Sequence, residues 1–238
     1  MSVRAVILAG GMGMRLRPYT VVLPKPLMPI GQHPIMEVIV RQLARFGFDR
    51  ITVAVNHQAD IIKAFFGDGS RWNVAIDYSL EPVPLSTIAP LKLIKDLPEN
   101  FLLLNGDVLT ELDFRRLLCE HEANGRMFTI AAARRKHVVD YGVLEIDSKG
   151  QLTDFHEKPT LNYLVSMGVY AVNRAVLNAV PEGRYGFDDL MLDLLARHEP
   201  VQVEPYDGYW LDIGRVDDYM KAIDDFELRR TDLIPDEN

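Results

Sequence analysis

The 238-residue chain lacks several features that mark particular classes of protein. Its one cysteine, Cys119, cannot form an internal disulfide, and its place in an apparently helical stretch predicts a buried structural thiol. No apolar run approaches the length of a membrane span, and the apolar segment at residues 3–8 is too short for a signal peptide. We therefore expect no membrane attachment and, by default, a cytoplasmic location.

An excess of positive charge is also missing. The chain has 26 basic and 34 acidic residues and a formal net charge of −8, which argues against a general nucleic-acid binder. A local basic pocket for a nucleotide remains compatible with this balance. The composition, 48% hydrophobic and 25% charged, is that of an ordinary globular protein.

Short apolar runs alternate with amphipathic segments in the first half of the chain. The periodicity predicts strands over 3–8, 51–55, 74–78, 101–104 and 127–132, and helices over 35–46, 61–66 and 114–121. Asp113 is the expected N-cap of the last of these helices. This alternation is typical of a layered α/β protein with a largely parallel sheet, in which ligands bind beyond the carboxyl ends of the strands.

The second half has a different pattern. It predicts a hairpin from residues 142–146 and 151–155, strands over 165–172 and 209–213, and a final helix over about 216–230. Only the tail, residues 231–238, has the composition of a loose segment. No linker or internal repeat divides the chain, so we expect one domain.

The most informative stretch is Leu-Ala-Gly-Gly-Met-Gly-Met-Arg-Leu-Arg-Pro at residues 8–18, directly after the first predicted strand. Its glycines let backbone amides approach a ligand, and successive free amides make an anion-binding concavity, to which Arg15 and Arg17 add charge. The segment is neither a P-loop nor a dinucleotide fingerprint, and alone it is equally consistent with a tight turn. Lys25 lies between two prolines that stiffen its backbone, which favours a positioned charge and hence an anion site.

Two aspartates, Asp107 and Asp212, follow apolar segments at the ends of predicted strands. A carboxylate in such a turn can reach a metal ion without crossing apolar surface. On the sequence context alone, the alternative of an ordinary turn or cap residue is the more common one.

Together, the glycine-rich loop and the Pro-Lys-Pro at residues 24–26 resemble the sugar-nucleotide pyrophosphorylases, which are nucleotidyltransferases acting on sugar 1-phosphates; the resemblance continues to Tyr219. It implies a three-layer α/β/α fold with a mostly parallel, mixed, Rossmann-like sheet in one domain over 1–238. The nucleotide-binding half would span about 1–135 and the sugar-phosphate-binding half about 136–230. Longer members add a C-terminal β-helix that this sequence does not provide, so the chain is most similar to minimal mannose- or heptose-1-phosphate guanylyltransferases.

The resemblance also implies roles for individual residues. Arg15 would bind the β- and γ-phosphates, Lys25 the charge at the α-phosphate, and Asp107 with Asp212 a catalytic Mg²⁺, which prefers oxygen ligands. The nucleotide would be bound by Leu8, Ala9, Gly10, Gly11, Gly13, Arg15, Lys25, Glu81, Pro84, Ser86 and Thr87. The sugar phosphate would be bound by Tyr141, Gly142, Glu157, Lys158, Ser166 and Gly168. Without the resemblance, the adjacent Glu157 and Lys158 would pass for surface charges, and His156 for a surface histidine.

Two segments depart from the family pattern. Residues 84–89 are Pro-Leu-Ser-Thr-Ile-Ala where the family has Pro-Leu-Gly-Thr-Ala-Gly, which predicts a stiffer or differently shaped loop at the base. Ser166 stands where the family commonly has asparagine, which disfavours the usual glucose-type substrates. Glu81 could accept hydrogen bonds from N1–H and the exocyclic amine of guanine, which favours GTP, although an ordinary solvated acid is the alternative.

The sequence therefore predicts an enzyme that makes a nucleotide sugar and pyrophosphate from GTP and mannose 1-phosphate or glycero-manno-heptose 1-phosphate. A uridylyl- or cytidylyltransferase acting on another sugar or small-molecule phosphate is the first alternative. A catalytically silent regulatory subunit is the second, and it is disfavoured because the charged positions Arg15, Lys25, Asp107, Lys158 and Asp212 are all present. The sequence leaves a homodimer open as the assembly.

Overall fold

The computed structural model describes residues 3–56 and 58–234. The strands are β1 (Arg4–Leu8), β2 (Pro29–Ile30), β3 (His33–Pro34), β4 (Arg50–Val55), β5 (Ala75–Leu80), β6 (Asn100–Asn105), β7 (Val108–Thr110), β8 (Phe128–Val138), β9 (Val143–Ile146), β10 (Leu152–His156), β11 (Thr160–Asn173), β12 (Val201–Tyr206) and β13 (Trp210–Asp212). The helices are α1 (Ile35–Arg45), α2 (Ala59–Phe66), α3 (Phe114–Ala123), α4 (Phe187–Ala196) and α5 (Val216–Leu233). Short 3-10 turns lie between them.

Seven strands pair into a central sheet in the order β12-β8-β11-β6-β1-β4-β5. Strands β6, β1, β4 and β5 are parallel to one another, while β11 is antiparallel to both of its neighbours, β6 and β8. The predicted mixed, mostly parallel sheet is thus confirmed. Because β1, β4, β5 and β6 run the same way, the loops that follow them lie along one edge of the sheet.

Both faces of the sheet are buried, which produces the three layers that the sequence predicted. In β6, Leu102 and Leu104 pack into one apolar cluster, whereas Phe101 and Leu103 pack into another on the opposite face. This alternation explains why the strands of the first half are nearly continuous apolar runs. A third cluster packs α5 against the segment that follows the glycine-rich loop.

The elements predicted in the first half lie within two residues of their bounds except β8, which runs to Val138, six residues beyond its predicted end; the hairpin of β9 with β10 is confirmed. Asp113 caps α3 as predicted, since its Oδ1 accepts a hydrogen bond from the Arg116 amide at 2.8 Å. Within the described part of the chain, no helix has the length and apolar character needed to cross a bilayer, and there is no β-helix.

Two expectations need correction. Cys119 is exposed, because α3 buries the neighbouring Leu118 against the sheet and turns the thiol outward. Helix α5 continues to Leu233 into the predicted loose tail, because Leu233 and Ile234 are buried in the third apolar cluster; residues 235–238 lie outside the described part. The last predicted strand is present as β13, which pairs with β7 and not with the central sheet.

Helix α4 and strand β12 have no counterpart in the sequence prediction. Strand β12 is at the edge of the sheet and contains Pro205, a residue that weakens a strand signal and is tolerated only at edges and bulges. In α4 only Leu190 and Leu194 are buried, so its apolar face is too narrow to give a clear helical pattern.

The imidazole of His121 on α3 gives a test of the core. The side chain is fully buried, with Nδ1 at 2.8 Å from Thr129 Oγ1 and Nε2 without a hydrogen-bond partner among the described residues. Burial, followed by the charge of Arg126, lowers the pKa of His121 to about 4. The folded state therefore binds a proton less readily than the unfolded state, and stability decreases as the pH falls below the unfolded pKa.

We expect this histidine to remove about 2 kcal/mol of unfolding free energy between pH 7.5 and pH 5.0. Urea unfolding at the two pH values should show a smaller loss in His121→Gln than in the unmodified protein. The exposed His137 supplies the control, and His137→Gln should retain the full loss. An equal loss in His121→Gln and in the unmodified protein would contradict the assignment.

Candidate active site

The carboxyl ends of β1 and β6 bring the glycine-rich loop next to Asp107. The Gly106 amide donates to the Leu8 carbonyl at 2.9 Å, and a Cβ at Gly106 would lie only 3.1 Å from that oxygen. The Ala9 amide in turn donates to the Ala54 carbonyl at 2.8 Å. The loop after β1 and the turn after β6 are therefore in direct contact at the edge of the sheet formed by the carboxyl ends of its parallel strands.

Two glycines of the loop are required by close approach. Gly13 has φ of 60°, and a Cβ there would lie 2.8 Å from Thr20 Cγ2, while Thr20 Oγ1 donates to the Gly13 carbonyl at 2.7 Å. A Cβ at Gly10 would lie 2.8 Å from Glu81 Oε1. Gly11 has open space around it and lines a cavity, which is the position that an anion-binding amide needs.

Pairing of β7 with β13 places the two predicted metal ligands side by side. Val108, next to Asp107, is in register with Asp212, and the Ile213 amide donates to the Asp107 carbonyl at 3.1 Å. Burial and the charge of Asp107 raise the pKa of Asp212, while the charges of Lys25 and Arg15 act in the opposite direction. The four predicted catalytic residues thus form one charged group, with two carboxylates (Asp107 and Asp212) and two cations (Arg15 and Lys25).

Lys25 and Asp107 form an ion pair through Nζ and Oδ2, with 13% and 19% of their side-chain surfaces exposed. The second oxygen of Asp107, Oδ1, is buried and accepts no hydrogen bond from the described residues. An uncompensated carboxylate oxygen beside a second carboxylate fits a divalent cation, which would supply the missing positive charge. Asp107 and Asp212 would be the protein ligands, and phosphate and water oxygens would complete the coordination.

Another group of metal-ligand type, Glu145, Asp154 and His156, lies elsewhere, on one face of the β9–β10 hairpin. All three side chains are exposed, and His156 Nε2 is 3.2 Å from Asp154 Oδ2 and 3.6 Å from Glu145 Oε1. His156 is therefore a surface histidine in contact with two acids.

We call Asp107 and Asp212 the acidic pair. A cavity of about 340 Å³ has Asp107 of this pair in its wall. It is lined by Leu8, Gly10, Gly11, Met12, Asn56, Glu81, Pro84, Ser86, Thr87, Asn105 and Asp107. Seven of the predicted nucleotide-binding residues are among these lining residues, with Ala9 and Gly13 in the same loop. The lining residues Met12, Asn56 and Asn105 were not predicted from the sequence, although the place of Asn56 and Asn105 at carboxyl ends of parallel strands is a signal that identifies such positions.

Glu81 is buried, with 7% of its surface exposed, so it is not an ordinary solvated acid. Its Oε2 accepts from the Leu85 amide at 3.2 Å, and Asn56 Nδ2 donates to its backbone carbonyl at 3.0 Å. Burial raises the pKa of Glu81, and the Leu85 hydrogen bond acts in the opposite direction. Its carboxylate is held at the cavity wall, against Gly10.

The loop at residues 84–89 keeps a left-handed residue where the family pattern has glycine, since Ser86 has φ of 76°. The neighbouring Thr87 Oγ1 accepts a hydrogen bond from the Phe187 amide at 2.8 Å. The replacement of glycine by Ser86 therefore leaves a strained residue in this turn, while Thr87, which the family pattern shares, ties the loop to the start of α4.

The six predicted sugar-phosphate residues fall into two groups. Ser166 and Gly168 lie in a bulge of β11, and Gly168, with φ of 71°, packs against the Asn105 amide beside the cavity. Tyr141, Gly142, Glu157 and Lys158 flank the β9–β10 hairpin and are exposed. Gly142 faces Phe155 and Glu157, but no hydrogen bond or ion pair within the described residues joins this second group to the acidic pair.

Comparisons with known proteins agree with this geometry. The sequence pattern of the Nucleotidyl transferase family matches residues 4–228. The chain is 35% identical to a UTP–glucose-1-phosphate uridylyltransferase of Synechocystis sp. and 32% identical to a mannose-1-phosphate guanyltransferase of Schizosaccharomyces pombe, over 92% and 91% of its length. It spans 62% of the length of each of these relatives.

Solved structures with the same fold include HddC from Yersinia pseudotuberculosis, with a TM-score of 0.73 and 26% identity, covering 94% of this chain and 99% of that one. A putative glucose-1-phosphate thymidylyltransferase from Bacillus anthracis superimposes with a TM-score of 0.74 at 23% identity, covering 100% of this chain and 97% of that one. At this identity the likeness establishes a shared fold and nothing about activity.

Gly168 provides a test of the close packing at the bulge. A Cβ there would lie 2.6 Å from Asn105 Nδ2, in a backbone conformation that side chains rarely adopt. Gly125 is a matched control, because its φ of 57° is similar but no atom lies within 4 Å of its Cβ position. Gly168→Ala should therefore lose about 1–3 kcal/mol more unfolding free energy than Gly125→Ala in urea titrations. Equal losses would show that Asn105 does not constrain this position.

Proposed function

Because the chain belongs to the nucleotidyl transferase family, we propose that it joins a nucleoside triphosphate to a sugar 1-phosphate, forming a nucleotide sugar and releasing pyrophosphate. The observation that carries this proposal is the group of Arg15, Lys25, Asp107 and Asp212 at the edge of a cavity walled by the glycine-rich loop. Phosphoryl and nucleotidyl transfer depends on positioning and on neutralised oxygens more than on covalent help from protein, and this group supplies both.

In the proposed reaction, a phosphate oxygen of the sugar 1-phosphate attacks the α-phosphorus, and the bond to the β-phosphate oxygen breaks. Arg15 binds the β- and γ-phosphates, which leave as pyrophosphate, and Lys25 neutralises charge at the α-phosphate. Asp107 and Asp212 would hold Mg²⁺, which supplies charge neutralisation and alignment of the phosphate oxygens. Lys158 binds the acceptor phosphate, and no covalent enzyme intermediate is needed.

The finer proposal is that the triphosphate is GTP and the sugar has the manno configuration. Buried Glu81 supports guanine, because its carboxylate can accept from two adjacent donors, which pyrimidine bases do not offer. Ser166 in place of the family's asparagine supports a sugar other than glucose. The similarity to a uridylyltransferase as well as to guanyltransferases keeps a uridylyltransferase as the second candidate. The division into a nucleotide half (about 1–135) and a sugar-phosphate half (about 136–230) belongs to this proposal.

The proposal is tested by pyrophosphate release over a matrix of GTP, UTP, CTP, dTTP and ATP against mannose, glycero-manno-heptose and glucose 1-phosphates. We expect the highest turnover for GTP with one of the manno-configured sugars. Turnover with UTP alone would leave the reaction intact and replace the base assignment. No pyrophosphate release in any combination would contradict the proposed activity and favour a silent subunit.

Substitution of the acidic pair tests the proposed magnesium site. Asp107→Asn and Asp212→Asn should each lower turnover by orders of magnitude while the fold stays intact by circular dichroism, because each variant removes one charge from the proposed magnesium site. Asp224→Asn, an exposed position on α5, is the control and should leave turnover unchanged. Near-normal rates in both site variants with magnesium present would remove the metal assignment.

Substitution of Glu81 tests the proposed recognition of guanine. Glu81→Gln exchanges one acceptor for a donor against guanine, and a buried mismatch of this kind costs about 1–3 kcal/mol, or about one to two powers of ten in affinity. The loss should appear with GTP and not with UTP or CTP, and ITP, which lacks the exocyclic amine, should be a poorer substrate than GTP for the unmodified enzyme. The exposed Glu120→Gln is the control. Equal use of ITP and GTP, together with an unaffected Glu81→Gln variant, would exclude Glu81 from base recognition.

A further inference from the structure

The loop at residues 84–89, here called the nucleotide loop, is attached to the segment that begins α4. The Tyr185 amide donates to the Leu85 carbonyl at 3.0 Å, and the Tyr185 carbonyl accepts from the amides of Ile88 and Ala89 at 3.1 and 3.0 Å. A Cβ at Gly186 would lie 2.8 Å from Ser86 Oγ, so the two segments are also in close contact. The loop and the start of α4 therefore form one hydrogen-bonded unit.

Phe187, the first residue of α4, contacts two parts of the site in two different ways. Its backbone amide donates to Thr87 Oγ1 at 2.8 Å, in the nucleotide loop. Its ring stacks on the ring of Tyr170, with centroids 4.8 Å apart and planes inclined by 28°. One residue thus connects the wall of the nucleotide cavity to strand β11.

Tyr170 ends the bulge of β11, which we call the sugar-side bulge and define as residues 166–170. Ser166 is in register with Ala132 and Tyr170 with Ile130, so four steps on β11 face two steps on β8. Ser166 Oγ donates to Tyr170 Oη at 3.0 Å and accepts from the Gly168 amide at 3.3 Å. The position of Ser166 therefore depends on the position of the Tyr170 ring.

We propose that Phe187 is a positioning residue that couples the nucleotide loop to the sugar-side bulge, so that a bound triphosphate orders Ser166 for the sugar phosphate. This inference rests on the proposed function. A ligand that restricts the loop also restricts the amide of Phe187, and the stacked ring passes that restriction to Tyr170. Because binding free energies are reciprocal, the sugar phosphate should strengthen triphosphate binding by the same factor.

The two contacts of Phe187 can be removed separately. Phe187→Leu keeps the amide that binds Thr87 and keeps an apolar side chain, but it loses the stacked ring. Thr87→Val keeps the shape of the loop residue and loses the acceptor, whereas Thr87→Ser keeps the acceptor. Phe46→Leu is the matched control, since it removes a different aromatic pair, with Phe114 at 5.8 Å, at the end of α1.

The measurement is amide hydrogen exchange with and without the non-hydrolysable β,γ-imido analogues of GTP and UTP. In the unmodified protein, and in Phe46→Leu and Thr87→Ser, the analogue that binds should slow exchange several-fold in both the nucleotide loop and the sugar-side bulge. In Phe187→Leu only the nucleotide loop should be protected, and in Thr87→Val protection of the bulge should also be lost. Phe187→Leu should raise the KM for the sugar phosphate several-fold at saturating triphosphate and, by the same reciprocity, weaken triphosphate binding in the presence of sugar phosphate, while the affinity for the triphosphate alone stays unchanged.

Protection of the bulge in Phe187→Leu equal to that in the unmodified protein would overturn the coupling and leave the stacked ring as core packing. Protection of the nucleotide loop without the bulge in the unmodified protein would overturn it as well. Protection of neither segment by either analogue is a different result, because it would contradict the proposed function itself.

Discussion

Repulsion between the carboxylates of Asp107 and Asp212 is the constraint on which the rest of the site depends. The two acids are neighbours because β7 pairs with β13, and both lie in partly buried surroundings where like charges repel strongly. Lys25 pairs with one of them, and Arg15 contributes positive charge near the other. The cations proposed to bind phosphates are therefore also the groups that offset the repulsion between Asp107 and Asp212.

This double role explains the shape of the segment that carries the cations. Gly13 makes a left-handed turn against Thr20, and the prolines around Lys25 fix the direction from which its side chain approaches Asp107. The third apolar cluster packs this segment against α5, so the position of the cations depends on burial far from the cavity.

The site has one rigid part and one exposed part. The cavity is walled by loops that follow buried parallel strands, and the nucleotide loop is bonded to the start of α4. By contrast, Tyr141, Glu157 and Lys158 lie at the ends of a two-stranded hairpin that stands outside the central sheet, and a pair of strands alone has little independent stability. Coupling between the two substrates would therefore depend on contacts that join the nucleotide loop to the sugar-side bulge, such as the ring stack of Phe187 on Tyr170.

The sequence by itself determined the layered α/β fold, most elements of the first half, the cap at Asp113 and the glycine-rich loop with its cations, because these depend on local periodicity and backbone geometry. Only the tertiary structure decided that Glu81 is buried, that Ser86 is left-handed and that Thr87 is bonded to Phe187; the proximity of Asp212 to Asp107 was implied by the family resemblance, and the pairing of β7 with β13 gives its physical basis. It also decided that Cys119 faces outward and that α5 runs on to Leu233. Each of these depends on a partner distant in sequence or on which face of an element is covered, and local patterns carry no record of either.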